Sequence, residues 1–95
     1  MRGETKTGFK FNIRESIKED FRFWRKVAKL SKEENAEKNP FLAFEVYEDL
    51  LGEKQLEKLE KHVEKKGVVS IKDIDEEVSN IFAEIGKTDK EAKNS

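Results

Sequence analysis

The chain has no cysteine, a single histidine, a single proline and no apolar run long enough to cross a bilayer. Without cysteine, disulfide frameworks, thiolate metal sites and cysteine nucleophiles are all excluded, which fits a reducing compartment. A membrane-spanning helix needs roughly 18 or more consecutive apolar residues, and nothing here approaches that. The opening stretch, Met1-Arg2-Gly3-Glu4-Thr5-Lys6-Thr7, is polar and supplies no core for a signal peptide. These absences lead us to expect a soluble, cytoplasmic protein. Neither sign of charge dominates, with 20 basic against 21 acidic residues, so no global attraction to nucleic acid or anionic membrane is expected. The lone His62, between Lys61 and Glu64 on a charged helix face, reads as a solvated residue, and a zinc site would need carboxylates to complete it. Gly52, Gly67 and Gly86 are isolated, so no phosphate-cradling loop is formed. The paired carboxylates lack the glycine turn of a calcium loop. No catalytic, metal or cofactor site is expected, hence no enzyme.

What is present is pattern. Ninety-five residues suit one domain, and with 35% hydrophobic against 43% charged residues the apolar side chains must be concentrated on few faces. Residues 1–7 read as a disordered start, 8–86 as a helical domain and 87–95 as a disordered polar tail. Phe9, Phe11 and Ile13 alternate with polar neighbours, the period of a short extended segment that must pair with something. Ser16-Ile17-Lys18-Glu19 is a capping box, predicting a first helix over residues 17–31. Residues 32–38 form a polar connector. Asn39 then caps a second helix with Pro40 at its first position, and Gly52 ends it. A third helix covers 53–66 and stops at Gly67. Val68 and Val69 could extend against residues 9–13. Ser70-Ile71-Lys72-Asp73 starts a fourth helix with Ile71, Ile74, Val78, Ile81, Phe82 and Ile85 on one face, closed by Gly86. The fold class is therefore mainly α, a small bundle of about four helices with a short N-terminal extended segment. Its core is expected from Phe44, Tyr47, Leu51, Leu56, Leu59, Val78, Ile81 and Phe82.

The first helix holds more apolar surface than a surface helix needs. Ile17, Phe21, Trp24 and Ala28 make one stripe, expected to face the core. Phe23, Val27 and Leu30 make a second, expected to be left for a partner and flanked by Arg22 and Arg25. Helix two packing across both stripes is the alternative. Charge is uneven along the chain: residues 1–32 carry 10 basic and 4 acidic side chains, residues 33–51 carry 1 and 6. Lys18, Arg22, Arg25 and Lys29 share one helix face, open to a nucleic-acid reading. The acidic fourth helix (Asp73, Asp75, Glu76, Glu77, Glu84) argues against groove insertion, which ranks nucleic acid below a protein partner. A basic face meeting an acidic face on another copy, or on another protein, fits better.

The segment from Asn39-Pro40 to Leu50-Leu51-Gly52-Glu53-Lys54-Gln55, followed by leucines at Leu56 and Leu59, resembles the tail assembly chaperones of siphophages and prophages of Gram-positive bacteria. Gly8-Phe9-Lys10-Phe11, Val68-Val69, Glu76-Glu77-Val78, Ile81-Phe82 and the closing Lys93-Asn94-Ser95 extend the likeness over about residues 8–95. The resemblance implies a non-enzymatic role in the cytoplasm of a host bacterium. Such chaperones coat the aggregation-prone tape measure protein until the tail tube polymerises around it, and many self-assemble. It therefore implies a tape measure protein or a similar long helical client, a homo-oligomer, and no membrane. One departure is that residues 14–32 are basic where the family often has an acidic first helix.

Overall fold

The computed structural model describes residues 1–32 and 40–94, with residues 87–94 as backbone. Among the described residues the fold is mainly helical, as the sequence pattern predicts, with four α-helices after a short N-terminal pair of strands. The strands are β1, Arg2–Glu4, and β2, Lys10–Asn12. The helices are α1, Phe21–Leu30; α2, Pro40–Leu51; α3, Glu53–Val63; and α4, Ile71–Asn94. The chain divides into two compact units. The first comprises Met1 and Ile13–Leu56, the second Arg2–Asn12 and the chain from Glu57 onward.

In the second unit the period-two alternation is kept: Phe9 and Phe11 are buried while Lys10 and Asn12 are exposed. The strand finds its partner close by in sequence. Residues 2–4, expected to be disordered, pair antiparallel with residues 10–12, placing Gly3 opposite Phe11. The Gly8 amide donates to the Thr5 carbonyl at 3.0 Å, and Gly8 has φ +91°, a glycine bulge that closes a short hairpin loop. Gly3 is needed for a different reason: a Cβ there would collide with the Phe11 ring. Val68 and Val69, expected to extend against this strand, do not. The helix α3 stops at Val63, short of residue 66, because Lys66 (φ +52°) and Gly67 (φ +79°) turn the chain tightly. Lys65 and Val68 exchange both backbone bonds across that turn, at 2.9 and 3.0 Å. Positive φ at both central residues is the geometry such a turn requires.

The fourth helix starts as its cap predicts, with Ser70 Oγ accepting from the Asp73 amide at 3.4 Å. Ile74, Val78, Ile81 and Ile85 are buried on its inner face, whereas Ile71 stays exposed. It does not stop at Gly86 but runs to Asn94. A glycine ends a helix by turning left-handed. Gly86 is absent from the positive-φ residues, and no proline follows it.

In the first unit the backbones of Ile13 and Met1 exchange bonds: the Ile13 amide donates at 2.7 Å and the Met1 amino group at 2.6 Å. The first helix begins later than the capping box suggests. Glu15–Glu19 forms a 3-10 turn, and Asp20 caps α1, its carboxylate accepting from the amides of Arg22 and Phe23 at 3.0 and 3.3 Å. Asp20 thus supplies the cap of α1, while Ser16 lies inside the 3-10 turn. The break resets the helical phase. A helix running from residue 17 would put Ile17 and Phe21 on one face. Instead Ile17 is fully buried and Phe21 is 74% exposed.

The second helix begins at Pro40 as expected, and Gly52 (φ +79°) ends it. Asn39 and residues 33–38 lie outside the described residues. Ala43, Val46, Tyr47, Leu50 and Leu51 are buried, a continuous stripe at helical spacing. Of the expected core, Tyr47, Leu51, Leu59, Val78 and Ile81 are buried, while Leu56 and Phe82 are half-buried. Phe44 is 43% exposed, a correction with a clear cause. The inner stripe of α2 runs through residues 43, 46, 47 and 50, which turns residue 44 outward.

Phe23→Ala should therefore cost about 3–5 kcal/mol of stability, whereas Phe44→Ala should cost less than about 1 kcal/mol. Denaturant unfolding of the two variants measures the difference. Equal losses would mean that the faces of α1 and α2 are misassigned.

Candidate partner-binding surfaces

The helices α1 and α2 pack against each other in the first unit. Phe23 faces inward, 2% exposed, and its ring meets Trp24 edge-on at 5.2 Å. Val27 and Leu30 are half-buried one and two turns further along. The stripe expected to await a partner is thus the inner stripe, and the one expected to face the core is largely outside. Phe21 and Ala28 are exposed, and the half-buried Trp24 donates its indole N–H to the Lys18 carbonyl at 3.0 Å. The break at Asp20 separates Ile17 from the rest of its expected stripe, and packing of α1 against α2 selects the Phe23 side as the inner one. Arg22 and Arg25 remain exposed, as the sequence reading places them.

Between the helices Lys26 Nζ meets Asp49 Oδ2 at 2.9 Å, with both side chains about one-third exposed (35% and 37%). The hydrogen bond and charge of Asp49 hold the Lys26 ammonium above the usual lysine range, with Glu45 and Asp20 adding and desolvation subtracting. Because the folded value is raised, any stabilisation from this pair is complete below the ordinary lysine range. It is lost as pH rises through the raised value. At such exposure, solvent and salt screen the pair, and it adds little stability.

The outer face of α2 carries Phe41, Phe44, Glu45 and Glu48, spaced i, i+3, i+4 and i+7, all exposed. Phe41 is 75% exposed, and its ring stands edge-on to Phe44 with centroids 6.1 Å apart. Single exposed apolar residues are ordinary, but two aromatic rings held together on one outward face form a patch. The sequence reading missed it because it assigned Phe44 to the core. The signal was the spacing of residues 43, 46, 47 and 50, which already defines an inner stripe without it.

The second unit holds a cleft of about 350 Å³ lined by Thr7, His62, Lys65, Asp73, Glu76 and Glu77, with apolar surface from Val63. His62 is exposed, as expected, and is also engaged here: Nε2 lies 2.9 Å from the Thr7 hydroxyl, and its ring lies 5.4 Å from that of Phe9. Thr7 donates to Glu77 Oε1, in a short contact. A hydroxyl has one proton and two lone pairs. With its proton directed to Glu77, Thr7 offers His62 a lone pair, an arrangement that suits the tautomer with hydrogen on Nε2. Thr5 accepts from the Phe9 amide at 3.2 Å and lies 3.3 Å from Thr7, filling its second lone pair. In a hydroxyl-nucleophile site the histidine takes the hydroxyl proton and the carboxylate supports the histidine. Here threonine stands in the middle, so the order differs.

No protein-family model, curated protein or solved structure matches the chain. Among the described residues, no group of three or more histidine, aspartate or glutamate side chains is placed to hold a metal ion. No helix among them is long and apolar enough to cross a membrane.

Glu77 is 5% exposed and takes one of its two oxygens' hydrogen bonds from Thr7. Thr7→Val should therefore destabilise the fold by about 1–3 kcal/mol, the cost of stranding a buried acceptor, and Thr7→Ser should recover most of the loss. Chemical denaturation reads both. Equal stability of the valine variant would show that the hydroxyl joint contributes nothing.

Proposed function

We propose that this chain is a non-enzymatic binding protein of the tail assembly chaperone type. It holds a long helical client, the tape measure protein, during tail morphogenesis. The observation that carries this reading is the aromatic pair Phe41–Phe44, exposed on the outer face of α2 and flanked by Glu45 and Glu48. An apolar stripe with an acidic border suits an amphipathic client helix with basic flanks. The docking face is thus moved from Phe23, Val27 and Leu30 to the outer side of α2. The order of the Thr7, His62 and Glu77 side chains supports a binding role over a catalytic one. Arg22 and Arg25 stand exposed on α1, and Glu45 and Glu48 on α2, opposite charges within one unit that support self-assembly.

Changing Phe41 and Phe44 together to serine should leave circular dichroism near that of the parent and abolish co-purification with a co-expressed tape measure protein. Undiminished co-purification would remove α2 from the interface.

A second reading rests on Phe21, Arg22 and Arg25, exposed together at the start of α1. An aromatic ring beside two guanidinium groups suits single-stranded nucleic acid. Under that reading the parent gives a salt-sensitive mobility shift on DNA or RNA, and reversing Arg22 and Arg25 to glutamate abolishes it. Absence of a shift from the parent at low ionic strength disposes of this reading.

A further inference from the structure

We infer that the cleft of the second unit is a receptor for a lysine or arginine side chain presented on an apolar segment of a partner polypeptide. Charge is the first argument. Asp73, Glu76 and Glu77 fall at i, i+3 and i+4 on α4 and line one cleft, against the single ammonium of Lys65. The second is an unmet acceptor. Glu77 is 5% exposed; its Oε1 takes the Thr7 hydroxyl, and its Oε2 is buried with no hydrogen-bond partner. A buried carboxylate oxygen left without a donor is costly, and a cationic N–H group is the donor that repays most. The geometry does not gather a metal site from these groups, whereas an ammonium or guanidinium needs no fixed coordination sphere.

The cation arrives on a polypeptide because the chain beside the cleft is apolar and outward-facing. Val68, Val69 and Ile71 are 64%, 37% and 58% exposed, between Lys65 and Asp73 in sequence. The tight turn at Lys66-Gly67 uses the Val68 backbone in its own bridge and leaves the side chain outside. A segment with an apolar residue next to a basic one can rest the former on Val68 and Ile71. Its basic side chain then passes its hydrocarbon stem along Val63 to reach the carboxylates. The inference rests on the protein-binding reading above in one respect, that the cation is carried by a polypeptide. It is independent of the α2 face.

The test titrates the nitrogen-15-labelled full chain with an acetylated, amidated Leu-Lys-Leu tripeptide and, in parallel, with Leu-Glu-Leu. Saturable amide shifts at Thr7, Asp73 and Glu77 with the lysine peptide alone are expected. The double variant D73N/E76Q keeps the buried Glu77 and the Ser70 cap in place, and it should weaken the lysine peptide by about tenfold or more. Equal shifts from both peptides, no saturable shift from either, or unchanged affinity in the double variant would overturn the inference. Because client co-purification is read separately with the Phe41/Phe44 variant, failure of the cleft leaves that result standing, and the reverse also holds.

Discussion

The carboxylate of Asp20 governs the first unit. By accepting from the amides of Arg22 and Phe23 it fixes where α1 begins, and so separates the register of α1 from that of the 3-10 turn before it. Within α1, packed against α2, Phe23 lies on the inner face and Phe21, Arg22 and Arg25 on the outer one. The preceding 3-10 turn lets Ile17 reach the interior independently. The break at the cap thus lets Ile17 and Phe21, four residues apart, differ, the one in the core and the other at the surface. The Lys26–Asp49 pair spans α1 and α2, and the inner stripe of α2 leaves Phe41 and Phe44 outside.

The second unit is joined differently, through polar groups on the hairpin loop. Lys6 donates its amide to Asn80 Oδ1 at 2.9 Å, and Thr7 links His62 and Glu77. A two-stranded hairpin is marginal alone, so it depends on burying Phe9 and Phe11 and on these side-chain bonds. The same arrangement leaves one oxygen of Glu77 unmet beside a cleft. The Thr7 bond holds this carboxylate in place, and its second oxygen stays buried without a donor beside the cleft.

Both candidate surfaces share one physical logic. Each combines outward apolar side chains with carboxylates, Phe41 and Phe44 beside Glu45 and Glu48, and Val68 and Ile71 near Asp73 and Glu76. Partners of apolar-basic character suit both. The basic surface on α1 is of the opposite kind, with Phe21 beside Arg22 and Arg25. A chain of nearly zero net charge thus carries locally opposed faces, which favours selective over general attraction.

The order and type of the helices were legible in the sequence, because 3.6-residue periodicity, Pro40, Gly52 and the Ser70 cap are local signals needing no other part of the chain. The inner face of α4, at Ile74, Val78, Ile81 and Ile85, was legible for the same reason. The first strand was not, since Arg2-Gly3-Glu4 has no apolar alternation and becomes a strand only when the Phe11 ring covers Gly3. Nor was the inner face of α1, because the chain breaks at Asp20 after the Ser16 box and packing against α2 selects the buried stripe. His62 looked like any solvated histidine until the hairpin brought Thr7 to it from 55 positions away. Sequence alone determined what could be decided within a few turns of helix. Which faces were left over, and which polar groups met across the chain, waited on tertiary contacts that no local pattern encodes.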